Sequence, residues 1–216
     1  MAPASAIVTD VTGAIATIRF NRSGARNPLS SATLNELNNA VSALTAGEDV
    51  TSIIFTGTED VFASGADIRE LTQLDTARAF KFARLGQQLF QSIADAKQVT
   101  IAAINGYCMG GALDLALACD IRIASPQAVF RHPGAALGII TGWGGTQRLP
   151  RLIGKTRALE LFITAKTINS REALGLGLVT SLSDNVLEAA LEFAHIGNTE
   201  KGRRTLTRRP KEVPFP

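Results

Sequence analysis

Apolar residues follow two rhythms along this chain, and they alternate. Short runs suited to strands occur at Ser52–Thr56, Val99–Ile104, Asp120–Ala124 and Leu178–Leu182. An earlier pair, Ile7-Val8 and Ala14–Phe20, flanks Thr12-Gly13 and reads as a β-hairpin. Between the runs, apolar positions recur at helical spacing. After the break at Asn27-Pro28, Ser30 or Ser31 caps a helix carrying Leu34, Leu37, Val41 and Leu44. Ala77–Ile93 is predicted helical, offering Phe80, Phe82, Leu85, Leu89 and Phe90 to a core. Gly111–Ala118 suits a short buried helix. Gly142, Gly144 and Gly145 open another helical stretch, which Gly154 breaks. Arg157–Thr164, Ser170–Leu174 and Asn185–Ala194 complete the helices. Strands alternating with helices predict an α/β layered domain with a largely parallel sheet.

Composition narrows the class. The 216 residues are 45% apolar and 19% charged, which suits one sizeable globular domain. The net charge is +3. Much of the basic excess falls at the end, in Lys201, Arg203, Arg204, Arg208, Arg209 and Lys211, with no aromatics interleaved. That reads as a solvated tail, and no nucleic-acid partner is expected. The predicted division is a core over residues 1–195 and a basic tail over 196–216. Cys108 and Cys119 lie in apolar segments at a spacing that fits no metal motif. Buried free thiols in a reducing compartment are expected, and no metal. Met1–Ile7 has neither a basic n-region nor a long apolar core. Neither a signal peptide nor a membrane span is expected, and the predicted location is the cytoplasm.

Candidate chemistry begins at two glycine-containing breaks. One is Phe62-Ala63-Ser64-Gly65-Ala66-Asp67-Ile68; the other is Gly110-Gly111, which follows the Val99–Ile104 run. Each can end a strand and open a helix, leaving backbone N–H groups unpaired. Two such groups converging on one point make an oxyanion hole. Asp114 sits between Leu113 and Leu115, where desolvation raises a carboxyl pKa toward neutrality. It either transfers a proton or is a structural carboxylate bonded to a neighbouring loop. His132 precedes Pro133-Gly134 in a predicted loop, where packing or solvent-facing histidines are commoner than bases. His195, near a helix end, favours the dipole there. Tyr107 and Trp143 either line a pocket or are simply buried. Asn21-Arg22, Arg26 and Arg69 are candidate phosphate contacts or solvated surface. No GxGxxG or Walker A pattern is present.

Several of these segments together resemble the enoyl-CoA hydratase/isomerase (crotonase) family. Phe62 to Leu71 is similar to its first signature, and Ala103 to Ala116, running on to Cys119-Asp120, to its second. Leu137-Gly138-Ile139 and Gly142 to Leu149 resemble the following segment, and Asn21-Arg22, Asn27 and Leu29 the early loop. The resemblance runs from about residue 6 to residue 195, with the motifs in order. It implies a crotonase-like (ClpP/crotonase) spiral of ββα repeats, trimeric or a dimer of trimers, binding acyl-CoA thioesters. Coenzyme A would be part of the substrate, and no separate cofactor is implied. The thioester oxygen would be held by the N–H groups of Ala66 and Gly111. Coenzyme A contacts would include Ala66, Asp67, Ile68 and Arg69, with Ala25 and Arg26 near the nucleotide.

Three departures qualify what the resemblance implies. The first of the family's two glutamates falls on Asp114, one methylene shorter. The second falls on Gly134, which has no side chain, and His132 stands two residues before it. The stretch from Glu200 to Phe215 resembles the family's final tail but follows Ala194 closely, as though a helical segment were missing. Two readings other than hydration therefore accompany it. One is another crotonase-type reaction: decarboxylation, thioester hydrolysis or isomerisation. The other is a non-catalytic acyl-CoA binder or interaction subunit.

Overall fold

The computed structural model describes residues 5–197; the basic tail residues Lys201 to Lys211 lie outside them. The opening hairpin is β1 (Ile7–Thr12) with β2 (Ile15–Phe20). It is followed by β3 (Pro28–Leu29), α1 (Ser31–Ala46), β4 (Ser52–Thr56), β5 (Val61–Ala63), β6 (Gly65–Ala66), α2 (Ile68–Leu71) and α3 (Thr76–Ala94). Then come β7 (Val99–Ile104), β8 (Tyr107–Met109), α4 (Gly111–Ala118), β9 (Ile121–Ala124) and β10 (Val129–Arg131). The described chain ends with α5 (Gly145–Ile153), α6 (Lys155–Thr164), β11 (Ile168–Asn169), α7 (Ser170–Gly175), β12 (Ser181–Leu182) and α8 (Val186–Gly197).

Among the described residues the strands form three sheets. A six-stranded sheet runs β1-β2-β4-β7-β9-β12 and is parallel apart from the hairpin. A four-stranded sheet runs β11-β10-β8-β5, and β3 pairs with β6 alone. The chain therefore winds as a spiral. Each turn lays one strand in the large sheet, then a short strand in a smaller one, then a helix. β4, β5 and α3 make one turn, β7, β8 and α4 the next, and β9, β10 and α5 another.

The large sheet is covered on both faces. Ile53 and Phe55 join the main core, while Ile54 between them joins a second cluster with Ile101, Ile123 and Ala190 of α8. A parallel strand buried on both sides needs apolar residues at every position, which is why β4 reads as a run and not as alternation. The glycines that end β4 and β7 sit where the chain crosses between sheets. A Cβ on Gly106 would lie 1.7 Å from the Asp60 carbonyl oxygen. Asn105 ties the two crossings together: Oδ1 accepts from Gly57 N at 3.0 Å and Nδ2 donates to Glu59 O at 2.8 Å.

The predicted long elements are present, and Ser30 is the cap of α1, accepting from Thr33 N. Phe80 is not in the core, contrary to its predicted place there. The buried residues of α3 are Phe82, Gly86, Leu89, Phe90 and Ile93, and Phe80 is 67% exposed. Two residues rotate a helix by roughly 200°, so Phe80 faces away from the stripe that Phe82 begins.

Gly86 and Gly111 hold the indole of Trp143 between them. A Cβ would fall 2.4 Å from its Nε1 at Gly86 and 2.3 Å from its ring at Gly111. Phe82 and Phe90 meet the same ring edge-on at 5.1 and 5.6 Å. Gly86→Ala should therefore destabilise the fold by about 1–3 kcal/mol through overpacking. The urea midpoint, followed by the fluorescence of this single tryptophan, checks it; an unchanged midpoint would show that the indole has room to shift.

Candidate active site

A cavity of about 360 Å³ lies between α2, α3, the N-terminus of α4 and the segment from His132 to Trp143. Its lining is mostly apolar, including Leu74, Phe82, Ile139, Trp143 and Phe162. Ala66 and Gly111 both form part of the wall.

Backbone geometry brings those two residues together. Gly111 is the first residue of α4, so its N–H has no acceptor within the helix. The preceding Gly110 has φ +52°, which turns the chain sharply from β8 into α4. A Cβ on Gly65 would lie 2.8 Å from Gly111 N, and one on Gly111 would lie 3.5 Å from Ala66 N. The approach requires glycine at 65; at 111 a Cβ would make ordinary contact with Ala66 N, and it is the Trp143 ring that excludes it. The Ala66 side is held by pairing of β6 with β3 and by α2, whose Glu70 reaches the start of α1. There Glu70 Oε2 accepts from Ser31 N at 2.8 Å, and Oε1 accepts from the Ser31 hydroxyl.

Asp114 lies one turn into α4 and is fully buried. It is not part of the cavity wall; His132 and Thr141 are. The Thr141 hydroxyl donates to Asp114 Oδ2. Asp114 Oδ1 faces His132 Nε2 at 3.6 Å. Both of these atoms are buried without a hydrogen-bond partner. Burial pushes the Asp114 carboxyl up to about 7, against the opposing pull of Thr141, the Trp143 backbone, Arg148 and the Gly145 backbone. Burial also depresses the His132 imidazole to about 4, so it is neutral near pH 7. The loop position of His132 suggested solvent or packing; the structure buries it against Phe162, with ring centroids 5.0 Å apart.

The other predicted residues divide by position. Ile68 lines the cavity and is exposed at its mouth. Asp67 caps α2, accepting from Arg69 N at 3.0 Å, and neither residue is in the wall. Ala25 and Arg26 are exposed in the early loop, and the Arg26 guanidinium lies over the Tyr107 ring at 5.0 Å. Asn27 anchors that loop: Nδ2 donates to the carbonyls of Val61 and Phe62 at 3.1 and 3.2 Å. Cys108 and Cys119 are buried thiols, and Cys119 Sγ donates to Leu115 O at 3.5 Å. His195 Nδ1 lies 2.7 Å from Leu191 O at the end of α8. Among the described residues no cluster of metal-ligating side chains is present.

Gly134 lines the cavity where the resemblance implied a second glutamate. It opens a 3-10 turn over Gly134–Leu137, and its carbonyl accepts from Ile139 N at 3.0 Å. A Cβ there would lie 2.6 Å from Ile139 O. This loop closes on itself in a way that leaves no space for a side chain.

A ββα spiral with a helix N-terminus opening into an apolar cavity defines a crotonase-like protein. The enoyl-CoA hydratase/isomerase family model matches residues 10–201. The short-chain-enoyl-CoA hydratase of Clostridium acetobutylicum is 38% identical over 88% of this chain and 74% of its own length. The crotonyl-CoA hydratase of Syntrophomonas wolfei is 41% identical over 82% and 68%. Among solved structures, Pseudomonas aeruginosa DspI superposes with a TM-score of 0.89 at 33% identity, covering 97% of this chain and 87% of that one. The enoyl-CoA hydratase from Bacillus anthracis gives 0.85 at 36% identity, covering 88% and 75%. The chain belongs to the enoyl-CoA hydratase/isomerase family.

The two buried groups should show in stability against pH, with opposite signs. Asp114 binds its proton more tightly when folded, so its contribution is full below about pH 3.8 and is lost as pH rises through about 7. His132 binds its proton less tightly when folded, so its contribution is present above pH 6.5 and is lost as pH falls through about 4. Where the ranges overlap, the two slopes oppose, each on the order of 1 kcal/mol per pH unit. Relative to wild type, the stability of Asp114→Asn should rise with pH over that range, and that of His132→Gln should fall. Urea melts at several pH values check this; parallel profiles for all three proteins would refute it.

Proposed function

We propose that this protein is an enzyme acting on acyl-CoA thioesters, with the N–H groups of Ala66 and Gly111 stabilising an enolate at the thioester oxygen. The observation that carries this reading is the close approach of those two backbone segments at the wall of an apolar cavity. Donors fixed in place before reaction stabilise developing charge without reorganising. The relatives named as enoyl-CoA hydratases support the substrate class. Asp114, with a carboxyl poised near neutrality, supplies the proton acceptor. In this reading Asp67, Ile68 and Arg69, with Ala25 and Arg26, meet coenzyme A, which is part of the substrate, and no separate cofactor takes part.

The tight turn at Gly134 favours a crotonase-type reaction other than two-carboxylate hydration: isomerisation, decarboxylation or thioester hydrolysis. We also propose a cytoplasmic role in fatty-acyl metabolism. Among the described residues no helix is long and apolar enough to cross a membrane. Leu152, Leu159 and Ile163, exposed on α5 and α6, support assembly as a homotrimer or hexamer.

Calorimetry with butyryl-CoA and with S-butyl-CoA, which lacks the carbonyl, tests the hole. Two hydrogen bonds to the oxygen should give the thioester about 10-fold tighter binding. Equal affinities would remove the oxyanion assignment. A panel of enoyl-, malonyl- and hydroxyacyl-CoA then separates the reactions. Binding without turnover of any of them would favour a non-catalytic binder, and no binding would overturn the acyl-CoA reading.

A further inference from the structure

We infer that His132 is a catalytic residue, acting as a proton relay between the acyl group in the cavity and the buried carboxylate of Asp114. This rests on the thioester reading above. Asp114 is sealed from the cavity, whereas His132 forms part of the wall. The two side chains turn their unpartnered atoms toward one another, Oδ1 to Nε2, at 3.6 Å. Leaving two complementary buried polar atoms unpaired is costly unless they exchange a proton or tighten when substrate binds. With Nε2 committed to Asp114, Nδ1 is the nitrogen left for the substrate.

The step balances without a co-reactant. Nδ1 takes a proton from the α-carbon of the thioester. The C–H bond breaks, and its electron pair moves into the enolate held by the Ala66 and Gly111 N–H groups. In the same step the Nε2–H proton passes to Asp114 Oδ1. The imidazole has changed tautomer but stays neutral, and Asp114 is left as the uncharged acid. Running the relay backward returns the proton to the α-carbon, or to the γ-carbon of a conjugated chain.

Burial explains why a relay fits better than an imidazolium. In a catalytic triad the carboxylate stays ionised while the imidazole takes the charge. Here the order of basicity is inverted, because burial lifts the carboxyl and depresses the imidazole. The remaining titratable or charged groups acting on the pair are Cys108 on β8 and Arg148 on α5. Burial raises the Cys108 thiol well above its usual range, so it does not change state near neutrality. The proton's resting place is therefore Asp114, and the imidazole is the path to it.

Two measurements on the full chain test this, and they fail separately. The chain has two histidines, so ¹⁵N spectra of the rings are assigned with His195→Gln. In wild type without ligand, the His132 ring should switch from the Nδ1–H to the Nε2–H tautomer as pH rises through about 7, and Asp114→Asn should abolish the switch. One tautomer throughout, or an imidazolium forming near pH 6.5, would overturn the relay. The second measurement is exchange of the α-protons of butyryl-CoA in D₂O. His132→Gln and Asp114→Asn should each slow it by about 100-fold or more while butyryl-CoA affinity stays within about three-fold. The double variant should be no slower than the slower single one, because the pair acts as a unit. Exchange at the wild-type rate in His132→Gln would also overturn the relay. A tautomer switch in a protein that binds no acyl-CoA would uphold the coupled pair and refute the thioester reading instead.

Discussion

The absence of a side chain at Gly111 is the constraint on which the site depends. One residue meets three demands there. Its missing Cβ makes room for the Trp143 ring, and its N lies where a Cβ on Gly65 would fall 2.8 Å away, so the backbone of residues 65 and 66 passes close by. Its N–H has no acceptor within α4, and the residue forms part of the cavity wall. One helical turn further on, the same short helix carries Asp114 into the interior. Any side chain at 111 would displace the indole, which would in turn move the Thr141–Trp143 segment that holds Asp114. The backbone approach at residues 65 and 66, the cavity wall and the seat of Asp114 thus all meet at this one residue.

Burial then determines what the polar groups can do. The same low-dielectric surroundings that strengthen a hydrogen bond also penalise an isolated charge. Asp114 and His132 respond in opposite directions, and each is driven toward its neutral form. Neither group alone suits chemistry at neutral pH in contact with substrate: the carboxyl has the right basicity but no access, and the imidazole has access but too little basicity. They lie 3.6 Å apart, and in the proposed relay they supply both properties between them.

Much of the fold was legible because its long elements declare themselves. Leu34, Leu37 and Val41 repeat at helical spacing, and the β4 and β7 runs are long enough to be recognised as strands. The strands of the smaller sheets were not legible, since three residues such as Tyr107–Met109 are too few to show a period. Phe80 misled for a related reason: its apolar character was visible, but its face was not. At the site, Asp114 was conspicuous as a carboxylate between two leucines. Its partners were not, because Thr141 and His132 approach from loops whose paths depend on tertiary packing. The need for glycine at 134 was also hidden. It arises from a loop that folds its own Ile139 carbonyl onto the position, a clash no local pattern encodes.

That loop also bears on the proposed chemistry. Two-carboxylate hydration uses a second glutamate carboxylate, which the family resemblance would put at Gly134. Replacing it by glutamate would not supply one, since the Cβ alone collides with the turn and the turn carries the cavity residues Ile139 and Ile140. The cavity wall is otherwise largely apolar, which disfavours an ordered attacking water. On the proposed mechanism, the site moves one proton on and off carbon beside a stabilised oxygen. Reactions that return the proton they remove, isomerisation above all, ask only for that. In this site such chemistry follows from the same packing that leaves position 134 without a side chain.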